Sequence, residues 1–165
     1  MKFYFYFAVP IILGLIAAFI YFNGTNDESK IENLIKRALV ITEKKGDEGK
    51  LTEQSRLPAY LKILTPDATF SGDNLFTYSN GKEMAQAATV IISQMQAVKL
   101  EIRDLKILIN PDDKNKAVAF FDAKAVFTPK NDSPVTFVRR MKWFFVKVDG
   151  DWRINGIECS PLIEK

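Results

Sequence analysis

Val146-Lys147-Val148-Asp149-Gly150-Asp151-Trp152-Arg153-Ile154 decides the fold. Asp-Gly between two alternating apolar runs is the strongest short-range signal for a two-residue hairpin, because both turn positions need the left-handed backbone that these residues tolerate. Such a turn sets Val148 opposite Asp151. Unbroken pairing then puts Trp143 opposite Gly156 and Met141 opposite Glu158, and one face carries Arg139, Met141, Trp143, Phe145, Trp152, Ile154 and Glu158. Its aromatic weight marks it as the concave, pocket side.

Upstream, Val98 to Ile109, Ala117 to Phe127 and Val135 to Val148 are further strand-like runs. They are divided by Asn110-Pro111-Asp112-Asp113 and by Pro129 to Pro134. With Trp152 to Ile157 they make a four-stranded antiparallel meander. Before the strands the period changes to that of helices. Ile31, Leu34, Ile35, Ala38, Leu39 and Ile41 share one helical face, with Asn26 or Asp27 as cap and Glu32 set to pair with Lys36. Leu57, Tyr60, Leu61 and Leu64 mark a second, shorter helix, with Pro58 expected in its first turn. Ala68 to Phe70 and Leu75 to Tyr78 flank Ser71-Gly72-Asp73-Asn74 and predict a small hairpin. Asn80-Gly81 opens a third helix along Met84, Ala87, Ala88, Ile91, Ile92 and Met95.

From Phe3 to Phe22 no side chain is charged or strongly polar. That is about the 20 residues that cross a hydrocarbon core as helix, and the bulky Phe19 to Phe22 oppose signal cleavage. The expected organisation is a bilayer anchor over residues 1–22, a polar linker over 23–29 and an α+β domain over 30–165. Lys2 on one side and Asn26, Asp27 and Glu28 on the other favour a single-pass protein with an extracytoplasmic domain, periplasmic or extracellular. The net charge of +3 is spread over interspersed signs, which gives no footprint for nucleic acid. There is no histidine and one cysteine, Cys159, so histidine-based triads and thiolate metal clusters are excluded. No phosphate loop or calcium-loop spacing appears, and no metal or cofactor is expected.

The order helix, helix, small hairpin, helix, meander resembles the nuclear transport factor 2-like superfamily, including its SnoaL-like and ketosteroid-isomerase-like members. The likeness rests on Leu64-Thr65-Pro66-Asp67-Ala68-Thr69-Phe70-Ser71-Gly72, on Gly81-Lys82-Glu83-Met84-Ala85 and on Asp149 to Ile154. It implies a cone of three helices packed on a curved antiparallel sheet, a pocket inside, and often a homodimer through the outer sheet face. Its members range from isomerases, cyclases and dehydratases to transport adaptors and secretion scaffolds, so fold leaves function open.

For the pocket the expected lining is Tyr60, Tyr78, Met141, Trp143, Phe145 and Ile154. Arg139 and Glu158 fall as diagonal neighbours on that face, and the preceding hairpin is read as bringing Asp122 beside them. Two carboxylates around one guanidinium can hold one carboxyl at a raised pKa for proton transfer, or merely satisfy charge at a pocket rim. The rim reading has the better prior. Asp73 stands where the resemblance puts a catalytic base, in a stretch that also suits an ordinary turn. The leading functional expectation is a membrane-anchored module that binds a protein or a small apolar ligand. A cofactor-free isomerase, dehydratase or cyclase is the alternative, and a secretion-system scaffold, for which only Asn110-Pro111 speaks, is a further one.

Overall fold

The computed structural model describes residues 26–46, 49–72 and 77–162. Helix α1 spans Asp27–Thr42 and begins where Asn26 Oδ1 accepts from the Glu28 amide, the capping expected of an Asn before an acidic first turn. Ile31, Leu34, Ile35 and Ala38 form its buried stripe. Glu32 and Lys36 pair across one turn of its outer side at 2.7 Å. Helix α2 is Lys50–Ile63, then β1 is Leu64–Gly72, α3 is Gly81–Gln94, and β2 to β5 are Met95–Ile109, Lys116–Pro129, Val135–Val148 and Asp151–Pro161. The apolar run 3–22 lies outside the described residues. Among those described, no helix is long and apolar enough to cross a membrane.

The five strands lie in the order β1-β5-β4-β3-β2. The meander is as expected, and its last turn has Asp149 at φ 52 and Gly150 at φ 87 with Val148 opposite Asp151. Two expectations are corrected. The stretch read as one arm of a small hairpin is instead a nine-residue strand that starts directly after α2 and pairs in parallel with β5. Among the described residues its hairpin contact is one bridge, Phe70 to Tyr78, and the parallel pairing makes the sheet mixed rather than wholly antiparallel. Helix α2 also begins earlier than expected, and Pro58 sits in its interior. Pro58 is exposed, so the carbonyl that its ring deprives of a donor faces solvent.

Between the helices and the concave face lies one core. Ile31 and Ile35 of α1, Tyr60 and Ile63 of α2 and Ile92 of α3 meet Ala119, Phe121, Trp143, Phe145 and Ile154 from the sheet. Fully burying side chains of this size stabilises by about 2 to 3 kcal/mol each. At its N-terminus α1 is tied to the sheet through Asp27. Lys147 Nζ and Trp152 Nε1 both donate to its carboxylate at 2.9 Å, and the ammonium lies 4.9 Å from the Trp152 ring centroid.

Burial works to raise the Asp27 pKa, but the hydrogen bonds from Trp152 and Lys147 and the charges of Lys147 and Lys30 outweigh it, leaving the group below its usual value. A depressed folded pKa means that the stabilisation is whole above the unfolded value of about 3.9 and is lost as pH falls through the folded value. Asp27→Asn is therefore expected to lower stability by about 1 kcal/mol near neutral pH, a modest figure for a solvent-accessible pair. The gap to the parent should close as pH drops below 4. Urea titrations of both proteins at stepped pH check this, and a gap that stays constant into acid would remove the carboxylate from the account.

Candidate functional site

The inner face of the sheet is set by alternation along β4. Met141, Trp143 and Phe145 point into the cone, with Phe121 edge-on to Trp143 at 5.3 Å between centroids and Phe145 tilted at 6.3 Å. Opposite them Tyr60 is buried, and its hydroxyl meets Thr42 Oγ1 at 2.8 Å. Thr42 spends its own proton on the Ala38 carbonyl, so Tyr60 is the donor. Burial raises the Tyr60 pKa against the opposing pull of the Thr42 contact and the Arg56 charge, which keeps the phenol protonated. Trp143 is 8 % exposed, and its Nε1–H has no hydrogen-bond partner among the described residues. A buried donor left unpaired costs about 1 to 3 kcal/mol. Of the residues expected to line a pocket, Tyr60, Trp143, Phe145 and Ile154 belong to the buried core, and Met141 packs against it. Tyr78 does not join them and pairs with Phe70 beside β1, ring centroids 6.2 Å apart.

The expected charge cluster does not form. Pairing of β4 with β5 is regular from Val148↔Asp151 to Phe145↔Ile154, then shifts so that Phe144 faces Gly156 and Met141 faces Cys159. Asn155 is the extra residue, and its amide nitrogen reaches Thr65 Oγ1 at 3.1 Å in β1. Beyond this bulge every side chain of β5 changes face, so Glu158 leaves the cone and pairs with Lys142 at 3.2 Å on the outer side. The register of β3 with β4 sets Asp122 opposite Arg140, which binds it at 3.1 Å, again on the outer side. Arg139 remains on the inner face at the far end of β4, its guanidinium donating to the Val138 carbonyl at 2.9 Å and lying 5.8 Å from the Phe137 ring. Asp73 lies outside the described residues.

Glu158 instead borders a shallow groove of about 390 Å³, lined also by Phe120, Arg140, Lys142 and Ser160 with Ser71 and Gly72 of β1. Two buried cations were not expected at all. Lys44 is 3 % exposed and bound to Glu53 at 2.9 Å, and Arg56 is 5 % exposed. Both belong to the corner where α1, α2 and β2 meet. Helical spacing carries the signal for Arg56, since it precedes Tyr60 by four residues and Ile63 by seven on one face.

The SnoaL-like domain family matches residues 50–164, from the start of α2 through the last strand. The chain belongs to this family. No curated protein matches it. Among solved structures, this SnoaL-like chain is similar to a nuclear transport factor 2-like superfamily protein from Salmonella enterica at 15% identity, TM-score 0.67, covering 82% of this chain and 91% of that one. It is similar also to a protein with a cystatin-like fold from Caulobacter vibrioides, at 12% identity and TM-score 0.65 over 82% and 89% of the two chains. A third, a provisionally named dehydratase of the same superfamily from Streptomyces avermitilis, has 10% identity and TM-score 0.66 over 84% and 97%. At such identities the likeness establishes the cone fold alone.

Proposed function

We propose that this SnoaL-like domain is a ligand-binding or protein-assembly module, tethered to a membrane by residues 3–22 with the domain on the extracytoplasmic side, and that it uses no metal or nucleotide. The observation that carries the reading is the division of chemistry between the two sheet faces. Asp122 and Glu158, which proton transfer in the cone would need, sit outside in pairs with Arg140 and Lys142. The inner face carries aromatic rings packed as core and the Trp143 Nε1–H, which has no partner among the described residues and would suit a small apolar molecule with one acceptor if those rings part to admit it. The outer face supports association of two copies, because Leu108, Val118 and Phe144 form an apolar row across β2, β3 and β4. A cofactor-free isomerase or dehydratase is the second reading; it requires the protonated phenol of Tyr60 to turn its donor from Thr42 Oγ1 to a substrate enolate.

The two indoles supply the test. On titrating the full chain in detergent micelles with 2-naphthol, the Trp143 indole proton resonance is expected to move saturably while that of Trp152, tied to Asp27, stays in place. Trp143→Phe should weaken binding about tenfold, the worth of one hydrogen bond to a buried donor. A naphthol that leaves both indoles unmoved would refute the pocket. Turnover of a co-purifying molecule would replace the binding module with the enzyme.

A further inference from the structure

Strand β4 runs on for four residues past the end of its neighbour. β5 pairs with it from Val148↔Asp151 to Arg139↔Pro161, whereas β3 pairs with it all the way to Val135. Val135, Thr136, Phe137 and Val138 are therefore paired on one side and have no strand on the other among the described residues. An open sheet edge offers a row of backbone donors and acceptors, and native proteins usually blunt it with charge, proline or a bulge. This one carries none of these within its four residues. Val135, Phe137 and Val138 are 45%, 41% and 39% exposed.

The cations nearest the edge are Lys124 and Arg139, with Glu101 across from Lys124 on β2 and Asp132 in the loop before β4 as the acids at that end. Lys124 lies directly across from Val138 on β3, and Arg139 follows Val138 in the chain. Lys124 has no carboxylate partner among the described residues, and Arg139 is bound only to the Val138 carbonyl and the Phe137 ring. The next cations along β4 differ, since Arg140 and Lys142 are neutralised by Asp122 and Glu158. Because Val138 and Arg139 point to opposite faces, an incoming strand meets a cation on each side, Lys124 on one and Arg139 on the other. A hollow of about 650 Å³ opens at the same end, between Ser93 to Met95 and Pro129 to Asp132, and carries one cation, Lys130, and one acid, Asp132.

We propose that the Val135–Val138 edge takes an extended, acidic segment of a partner protein, which adds to the sheet in line with β5 and sets carboxylates against Lys124 and Arg139. The inference deepens the assembly half of the proposed function and names its partner chemistry. Its position fits that role: Lys147, beside the start of α1, stands about 40 Å along β4 from Val135, at a rise of about 3.3 Å per residue. An anchor leading into α1 leaves this edge at the end remote from the bilayer.

The test uses the full chain in detergent micelles, an eight-residue peptide of alternating Val and Glu, its Val/Lys counterpart, and a backbone N-methylated Val/Glu version. Amide exchange at residues 135–138 is followed by NMR. The Val/Glu peptide is expected to slow exchange at these amides and to bind about tenfold more tightly than the Val/Lys peptide, while the N-methylated one does not bind. Lys124→Glu with Arg139→Glu should reverse the preference, and Trp143 resonances should stay still, so that failure here is separate from failure of the pocket. Equal binding of the two charge types, or binding of the N-methylated peptide, overturns the proposal. So does slow exchange without peptide, whether it disappears on deleting residues 163–165, which means the chain's own tail holds the edge, or on dilution, which means a second copy does.

Discussion

Arg56→Met is expected to lower the unfolding free energy by about 3 kcal/mol, the sum of two part-buried carbonyls deprived of their donors at about 1 to 3 kcal/mol each. Arg56 projects from α2 to the C-terminal end of α1. There its Nε donates to the Ile41 carbonyl at 3.0 Å and its second terminal nitrogen to the Glu43 carbonyl at 2.8 Å. These are groups that a helix end leaves without intrahelical donors. Met keeps the packing of the stem and loses only the fork, so the loss reads the hydrogen bonds rather than a cavity. Lys should not rescue, because one ammonium on a flexible stem does not span both carbonyls in fixed geometry. The same corner is held by Lys44, whose backbone exchanges two hydrogen bonds with Val98 of β2, both at 3.0 Å. Urea unfolding should show the midpoint falling with the slope unchanged. A loss below about 1 kcal/mol would mean that water reaches those carbonyls when the guanidinium is gone.

How far the sequence could be read is clearest in β5 and β2. Apolar residues of β5 fall on even positions at Trp152 and Ile154 and on odd positions at Ile157 and Cys159. A strand cannot bury both sets without an extra residue between them, so the switch of parity at Asn155-Gly156 announces the bulge. Assuming unbroken alternation through it sent Glu158 to the wrong face and dissolved the predicted site. β2 repeats the pattern, with Val98, Leu100 and Ile102 giving way to Leu105, Ile107 and Ile109 across a shift at Asp104, whose φ is 55. Asp is among the few non-glycine residues that accept this conformation readily.

β3 is a different matter. Val118 and Phe120 alternate with Ala119 and Phe121, so both faces read as apolar and neither fixes the register. The six-residue link Pro129 to Pro134 adds no turn signature to settle it, and Asp122 could be placed only by the pairing itself. The parallel partner of β1 was equally illegible. Leu64 to Gly72 contains Pro66, which argues against a central strand, and nothing local says that an edge position beside β5 awaits it. Helix faces, caps and the Asp149-Gly150 turn were legible because local chemistry dictates them. Long-range pairings were legible only where parity and turn type both spoke.

Gly81→Ala is the other substitution of large expected effect, and it runs against helix propensity. Ala is favoured over Gly within a helix by about 1 kcal/mol. Gly81 is the first residue of α3, behind a sound cap in which Asn80 Oδ1 accepts from the Glu83 amide at 2.8 Å. A Cβ here would press into the carbonyl oxygen of Thr65, with the Ala68 methyl 3.5 Å away. The obstruction is backbone of β1, which cannot swing aside as a side-chain tip does. Thr65 is itself buried, so α3 and β1 must separate to admit the methyl. Overpacking of this kind costs about 1 to 3 kcal/mol, and a backbone obstacle belongs at the upper end. Gly49→Ala serves as control, since nothing lies within 4 Å of a Cβ at that position and its change should stay below about 1 kcal/mol. Thermal and urea unfolding of the two variants beside the parent measure the difference. Equal stability of Gly81→Ala and parent would show that the start of α3 does not rest on β1, and the wall that these two elements give the cone would have to be redrawn.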